Sequence, residues 1–241
     1  MKVTYLSHSG FFAEFENCAF LFDYIGGPLP VLSPQKPLFV FCSHSHGDHF
    51  CRDIFRIFDG RPNTTFVLAK QIPMSKGRMQ NLGLTQTDRL IRLSAGAEVT
   101  LADSAGAPIR ISTLASTDMG VAFLLEYQGR RLYHAGDLND WQWEEEDPDW
   151  NRNMRLRFLK QMEKLRDLPI YLAFIPLDPR QGPAGYSGLN TFLQTARVET
   201  VLPMHMWGDY DIIRRWKQAG GLPDQAHRVL EIHKEGQEFF L

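Results

Sequence analysis

The chain has 241 residues, of which 44% are hydrophobic and 22% are charged, and its formal net charge is −2 at pH 7. This composition is typical of a folded globular protein and excludes fibrous, disordered and strongly basic nucleic-acid-binding classes. Because layered α/β domains reach this length, we expect a single domain over residues 1–241.

The cysteines and the N-terminal residues favour a cytoplasmic protein. Cys18, Cys42 and Cys51 lack CxxC spacing, which predicts neither a disulfide framework nor a zinc knuckle. The first residues alternate like a strand and lack the features of a signal peptide. No apolar run reaches the ~18 residues of a membrane-spanning helix, so we expect no membrane partner.

The first ninety residues predict strands and one short helix. The segments KVTYL, FFAEFE and CAFLFDYI read as a β-meander, which ends at the Pro- and Gly-rich loop GGPLPVLSPQKP. PLFVF and TTFVLA have the continuous apolar pattern of strands buried on both faces, and CRDIFRIF between them resembles a helix. Strand, helix and strand in this order indicate an α/β protein.

The second half predicts further sheet, followed by alternating strands and helices. DRLIRL, IRISTLA, VAFLLEY and RRLYHAG read as strands, with Gln128-Gly129 as the hairpin turn between the last two. Helical spacing is found over 150–167, 188–197 and 209–219, and IYLAFIPL, ETVLPMH and RVLEIH read as the remaining strands.

A dense histidine cluster, SHSHGDHF at 43–50, begins where the strand PLFVF ends. His44 and His46 are two residues apart, so an extended backbone can turn both rings to the same side. Asp48 and His49 can reach across a turn at Gly47 toward a second position. The pattern predicts a site for two metal ions.

This motif resembles the H-x-H-x-D-H signature of the metallo-β-lactamase superfamily, with its lactonase-like branch the nearest resemblance. The resemblance extends over nearly the whole chain. It implies an α/β fold of the αββα type, in which two facing mixed β-sheets have helices outside. It also implies a binuclear site at one edge that holds two divalent ions, with zinc favoured and manganese or iron as alternatives.

The resemblance also implies a ligand set. His44 and His46 would bind the first metal, and Asp48 and His49 the second. The segment YHAGDLN resembles the family's Gly-Asp motif, which makes Asp137 the bridging carboxylate. LPMHMW resembles the last histidine motif, which makes His205 a ligand of the second metal. Asp48 and Asp137 would hold the metals and orient the nucleophile.

The chain departs from the family at the third histidine motif. Family members supply a further imidazole to the first metal here, but this chain has LASTDMGV and no histidine between His49 and His134. Counting back from Gly120 places Thr117 at the usual position. We favour the neighbouring Asp118, because a carboxylate is a better ligand than a neutral hydroxyl, and Thr117 or water remains the alternative.

Three further residues are candidates for substrate contact or for support of the ligands. His8 ends the first strand, where it would contact the substrate, support the ligands or serve the structure alone. Asp23 ends the third strand and is expected to orient a metal-bound histidine. Arg180, on the loop PLDPRQGP, is a candidate anion contact whose alternative is a solvated side chain.

The resemblance implies a metal-dependent hydrolase, in which a hydroxide bridging two cations attacks an acyl or phosphoryl centre. We expect a small ester, lactone or phosphoester as substrate. The alternatives are a phosphodiesterase or nuclease, which the mildly acidic charge disfavours, and a non-catalytic metal-binding module with a weakened first site. Di-iron redox members replace the second signature histidine with glutamate, and His46 argues against them. A homo-oligomer is compatible with the sequence, which does not determine the oligomeric state.

Overall fold

The structure is a computed structural model that describes residues 1–58, 60–61, 63–81, 89–219 and 221–241. Among these residues the strands form two sheets, each mixed in direction. The predicted strand DRLIRL begins at Asp88, which lies outside the described residues, and its observed part is Leu90–Leu93.

The first sheet has the strand order β13-β1-β2-β3-β4-β5-β6. β13, β1, β2 and β3 pair antiparallel, whereas β3, β4, β5 and β6 pair parallel. Of the parallel strands, β3, β4 and β5 carry continuous apolar runs, as expected for strands covered on both faces. The strands are β1 (Lys2–Ser7), β2 (Gly10–Glu14), β3 (Ala19–Phe22), β4 (Leu38–Cys42), β5 (Thr64–Ala69), β6 (Leu90–Leu93) and, near the C-terminus, β13 (Glu238–Phe240).

The second sheet has the strand order β12-β11-β10-β9-β8-β7. β7 to β10 form an antiparallel meander, and β10, β11 and β12 are parallel. The strands are β7 (Glu98–Ala102), β8 (Pro108–Ala115), β9 (Val121–Tyr127), β10 (Arg130–His134), β11 (Pro169–Pro176) and β12 (Arg197–Met204).

The two sheets pack face to face through an aromatic core. The rings of Phe11 and Phe174, one from each sheet, have centroids 4.2 Å apart, and those of Phe41 and Phe123 are 5.2 Å apart. Tilted and edge-on aromatic pairs of this kind stabilise the fold beyond the free energy gained by burying their apolar surface. The facing sheets and outer helices confirm the predicted αββα sandwich.

The helices supply the outer layers. The longest, α3, presents Met154, Phe158 and Met162 to the protein interior. Among the residues that the structure describes, no helix combines the length and the apolar character needed to cross a bilayer. The helices are α1 (Ile54–Ile57), α2 (Lys76–Asn81), α3 (Pro148–Met162), α4 (Ser187–Thr195) and α5 (Asp211–Gln218), with 3₁₀ segments at Glu163–Leu165, Pro179–Tyr186 and Ala226–Arg228.

The observed elements agree with the predicted ones at a hairpin turn and differ from them elsewhere. The predicted turn at Gln128-Gly129 is confirmed, since both residues have positive φ, as a two-residue hairpin requires. The predicted strand RVLEIH is wrong, because it is reduced to one bridge between Val201 and Val229. The sequence analysis also missed β7 and the three-residue β13, which pairs with β1.

Candidate metal centre

The histidine cluster lies in the loop after β4, which is fixed by a buried carboxylate. The Ser43 backbone N–H donates to Asp23 Oδ1 at 2.7 Å, and the Ser43 hydroxyl donates to Asp23 Oδ2 at 2.6 Å. Beyond Ser43 the chain turns tightly, because the amides of His49 and Phe50 both donate to the His46 carbonyl. This turn directs the side chains before and after Gly47 toward one volume.

Two glycines allow other loops to approach this turn closely. A Cβ on Gly120 would lie 1.9 Å from the Ser43 carbonyl oxygen, and one on Gly136 would lie 2.7 Å from Ser43 Cβ. Both glycines also have positive φ, which other residues adopt at a cost. The loops that carry Asp118 and Asp137 are thereby held against the histidine loop.

We call His44, His46 and Asp118 the open group, in which the side chain of His44 is fully buried and those of His46 and Asp118 reach the surface. His46 Nδ1 lies 3.1 Å from His44 Nε2 and 3.7 Å from Asp118 Oδ2. The side chains of His46 and Asp118 are 44% and 50% exposed. The open group is therefore accessible to solvent and to a substrate.

A second set lies deeper, and we call His8, Asp48, His49 and His205 the buried group. Asp48 Oδ2 is 3.4 Å from Nε2 of His8, 4.0 Å from Nε2 of His49 and 3.7 Å from Nε2 of His205. The rings are at most 8% exposed, whereas the Asp48 side chain is 27% exposed. The buried group therefore offers four donor atoms at the spacing of a metal site, and in the open group His46 and Asp118 do so together with Asp137.

Asp137 lies between the two groups. Its Oδ2 is 3.2 Å from His44 Nε2, and its Oδ1 is 3.0 Å from His49 Nε2 and 3.4 Å from His205 Nε2. One carboxylate oxygen thus faces each group. This is the arrangement that the bridging role expected of Asp137 requires.

Several buried donor atoms at the centre have no hydrogen-bond partner. They are Nε2 of His8, His49 and His205 and Oδ1 of Asp137. His49 Nε2 and Asp137 Oδ1 are 3.0 Å apart, but the contact lacks the geometry of a hydrogen bond. Leaving a buried polar atom unpaired costs about 1–3 kcal/mol, so four converging atoms of this kind need a common partner. Imidazole nitrogens and carboxylate oxygens are the donors that zinc and related divalent cations take. The residues present fit a metal ion.

The local field also favours a cation. Burial alone would lower the pKa of His49, but the carboxylates of Asp137 and Asp23 outweigh it and raise that pKa to about 10. Burial likewise opposes ionisation of Asp137, yet His49, His44 and His205 hold its pKa well below the usual range. The carboxylates thus stay ionised and draw positive charge to this point.

Buried carboxylates stand behind two of the imidazoles. His49 Nδ1 is 2.7 Å from Asp23 Oδ2, so the structure places Asp23 where the sequence analysis expected it. His205 Nδ1 is 2.9 Å from Asp178 Oδ2. Both contacts turn Nε2 toward the centre and fix the tautomer in the way that partners of metal ligands do.

Sequence reasoning missed Asp178, although its position two residues after the end of β11 was a usable signal. Burial would raise its pKa, but hydrogen bonds from His205 and Arg180 lower it to about 2. Arg180 binds the same carboxylate through Nη2 at 2.6 Å and stacks on Trp207, with Cζ 4.3 Å from the ring centre. Arg180 therefore supports Asp178 and also borders the cavity described below.

Thr117 has a structural role in the same region. Its buried hydroxyl donates to the Asn139 carbonyl at 2.6 Å and accepts from the Asn139 amide at 3.0 Å. The loop around Asp118 is thereby tied to the loop around Asp137. These bonds occupy the hydroxyl, which favours Asp118 over Thr117 as a donor to the open group.

A cavity of about 290 Å³ opens directly above the cluster. Its floor holds carboxylates and imidazoles, and its walls are largely indole. Trp141 and Trp143 stack with an interplanar angle of 2° and centroids 6.0 Å apart. The lining residues are His46, Asp48, Asp118, Asp137, Trp141, Trp143, Trp150, Met154, Arg180, His205 and Trp207.

Comparisons with known proteins agree with this architecture. No model of a known protein family matches the chain. In sequence, the chain is 30% identical over 154 residues to a UPF0173 metal-dependent hydrolase of Desulforamulus reducens, an alignment that covers 57% of this chain and 62% of the relative. The matches to the curated relatives span about three fifths of their length.

Solved structures share the fold at low sequence identity. The metallo-β-lactamase fold protein YhfI from Bacillus subtilis has a TM-score of 0.62 and 14% identity, with 99% of each chain covered. CmlA, a diiron β-hydroxylase from Streptomyces venezuelae, has a TM-score of 0.63 and 14% identity over 100% of this chain and 54% of its own. The chain has the metallo-β-lactamase fold, so the predicted resemblance is confirmed for the fold. Because one protein with a similar fold is described as a diiron β-hydroxylase, the reaction of this chain must be argued from its site.

Proposed function

We propose that the chain is a metal-dependent hydrolase that acts on a small ester, lactone or phosphoester. The observation that carries the proposal is the convergence of four unpaired, buried donor atoms on one point, beneath an indole-walled cavity. The similarity to a protein described as a metal-dependent hydrolase supports it. We further propose that residues 1–241 act as one unit, since both sheets contribute loops to the centre.

In this proposal His44, His46 and Asp118 hold one divalent ion. Asp48, His49 and His205 hold another, and Asp137 lies between the two. Two such ions would polarise the oxygen of the scissile bond and activate a water molecule. Zinc is the first choice, and the number of carboxylates keeps manganese and iron as alternatives.

The chain's own residues would orient the reactants and restrict water. Asp137 directs one oxygen to each group, and Asp48 presents Oδ2 between the buried rings and the cavity. The indole walls limit access of bulk water, which strengthens electrostatic interactions on the cavity floor. Asp23 and Asp178 keep two imidazoles in the orientation that the centre requires.

The charges of the cavity favour a neutral or singly charged substrate. Three carboxylates, those of Asp48, Asp118 and Asp137, lie on its floor. Among its lining residues, Arg180 is the one arginine or lysine, and its charge is paired with Asp178. A polyanion such as a nucleic acid would find little compensation there. The three cysteines are unpaired, which is compatible with the cytoplasmic location that we propose.

The experiment combines metal analysis with a substrate screen. Metal-replete protein should contain up to two divalent ions per chain, and chelation should abolish turnover of at least one class among chromogenic esters, lactones and phosphodiesters. Asp137→Asn should lose activity, whereas His227→Ala, at an exposed position, should keep it. Less than about a tenth of an ion per chain would contradict the metal site. Full metal loading without turnover in any class would favour the non-catalytic module.

A further inference from the structure

His8 occupies a position that the metal assignment above leaves unexplained. It follows β1, whose pairing with β2 shifts register between Tyr5 and Ser7. Such an irregularity in the pairing redirects the side chains that follow it, as a β-bulge does. The His8 side chain is only 8% exposed, and its Nε2 has no hydrogen-bond partner.

The backbone holds His8 in an unfavourable conformation. Its φ is +46°, a region that a residue with a Cβ enters at a cost of about 1–3 kcal/mol. The conformation is fixed on both sides, because the His205 amide donates to the His8 carbonyl at 3.1 Å and His134 Nε2 donates to the Ser9 carbonyl at 2.9 Å. Strain that the surroundings maintain in this way is concentrated at functional sites.

The strained backbone brings the ring into the buried group. The His8 ring lies 4.2 Å from the His205 ring and 5.6 Å from the His49 ring, measured between centroids. Its Nε2 is 3.4 Å from Asp48 Oδ2, longer than the 2.7–3.2 Å of an ordinary N–H···O hydrogen bond. A hydrogen bond to Asp48 is therefore a poor account of this contact.

The distances fit a shared metal ion better. Ligands about 2.1 Å from a tetrahedral metal are about 3.4 Å from one another. The three nitrogens of the buried group lie 3.4 to 4.0 Å from Asp48 Oδ2. Asp137 Oδ1, 3.0 Å from His49 Nε2 and 3.4 Å from His205 Nε2, adds a further donor on the other side.

We propose that His8 is a direct ligand of the metal held by Asp48, His49 and His205. This inference rests on the proposed metal centre and assigns different roles to its two ions. His8, Asp48, His49 and His205 alone supply the four donors of a structural metal position, and Asp137 adds a fifth. This ion would then have no open place, whereas catalytic positions keep one open. The buried group then anchors one ion, and the substrate binds the ion of the open group, where His46 and Asp118 face the cavity.

The test measures metal affinity rather than activity. Protein stripped of metal is titrated with Co²⁺ or Zn²⁺, and the visible spectrum of bound Co²⁺ reports the ligand number. His8→Ala should weaken the affinity for the more tightly bound ion by at least about 100-fold. Even residues that only orient a metal ligand change metal affinity by about 10–100-fold. Added imidazole should recover at least about tenfold of that affinity by filling the vacated position. His233→Ala removes an exposed ring and should change nothing.

A second variant separates coordination from hydrogen bonding. His8→Gln keeps an N–H group that can reach Asp48 but removes the imidazole, so a ligand role predicts that it binds metal as poorly as His8→Ala. Affinity within about twofold of wild type in His8→Gln would overturn the inference. So would a folded His8→Ala protein whose affinity imidazole does not recover, since His8 would then only position its neighbours. If wild-type protein itself bound no ion, the proposed function would fail as well.

Discussion

The open group and the buried group are built from similar residues but differ in what surrounds them. In the buried group, His49 and His205 have a carboxylate behind Nδ1 and an unpaired Nε2 in front. In the open group, His46 and Asp118 are about half exposed and reach each other at 3.7 Å. A metal in the buried group would meet preorganised ligands, whereas a metal in the open group would have to order the side chains of His46 and Asp118.

This difference predicts that the buried group binds its metal ion more tightly and that the open group is where the substrate reacts. Ligands that are already oriented lose little conformational entropy when they bind a metal. Exposed ligands lose more, but they leave space for water and substrate. We therefore expect the two ions to bind with different affinities, with the tighter ion in the buried group.

The largest expected effect is the loss of a ligand from the buried group. His205→Ala, and equally Asp48→Ala, should reduce turnover by at least about 10³-fold, because the ion that helps to orient the nucleophile is lost. The fold should persist, since the centre lies at the edge of the sheets. Turnover and the circular dichroism spectrum, measured beside His227→Ala, test this. Near-normal activity at limiting metal would remove His205 or Asp48 from the ligand set.

A smaller effect is expected from the carboxylate behind His205. Asp178→Asn keeps the shape of the side chain but removes the charge that fixes the His205 ring, so metal affinity should fall by about 10–100-fold. Equilibrium titration with zinc measures the change. Asp211→Asn, at an exposed position on α5, is the matched control. An unchanged affinity would show that the ring is held by its packing alone.

In the open group, the expected effect is a change of metal preference. Replacing the oxygen donor by an imidazole in Asp118→His should favour zinc over manganese by about tenfold, because zinc prefers nitrogen more strongly than manganese does. The variant also removes a negative charge, so the rise of activity with pH should occur at lower pH.

The matched variant Asp118→Asn decides whether Asp118 is a ligand at all. It should weaken the open-group ion by about tenfold, since a neutral amide is a poorer donor than a carboxylate. If both the affinity and the pH profile stayed as in wild type, water would complete the site, because the Thr117 hydroxyl is already bonded to Asn139.

The sequence predicted the residues of the centre better than their supports. His44, His46 and Asp48 stand within five residues behind an apolar strand, so a local pattern reveals them. Asp178 is 27 residues away from the ring that it orients, and only the parallel pairing of β11 and β12 brings the two together. The spacing of Asp178 and His205 along the chain does not predict that contact.

The sequence also did not predict where the backbone is irregular. The φ of +46° at His8 results from contacts with residues far along the chain, and the alternation of β1 gives no sign of it. RVLEIH has the composition of a strand, but only one bridge forms there. In both places tertiary contacts decide the local conformation, against what the propensities predict.

Asp103, a carboxylate outside the cavity, shows how the chain itself can supply every partner of such a group. Asp103, in the turn between β7 and β8, accepts from the amides of Ala105 and Ala107 at 2.8 Å and from the Tyr127 hydroxyl at 2.5 Å. Burial would raise its pKa, but the hydrogen bonds from Tyr127 and from these amides lower it. Asp103 is satisfied by the chain itself, whereas Asp137 Oδ1 has no partner.

The last prediction follows from this contrast and concerns acid stability. A carboxyl group with a lowered pKa in the folded state stabilises the fold fully above its unfolded pKa of about 3.9, and that contribution is lost as the pH falls through the folded value. Asp103→Asn should therefore lower the free energy of unfolding by about 1–3 kcal/mol at pH 7. The difference in free energy of unfolding between Asp103→Asn and wild type should become smaller below about pH 4. It should be the same with and without metal, because the three partners of Asp103 lie outside the centre. Thermal unfolding between pH 3 and pH 7, with chelator and with zinc, measures both dependences, and a difference that changed with metal would mean that the two regions are coupled.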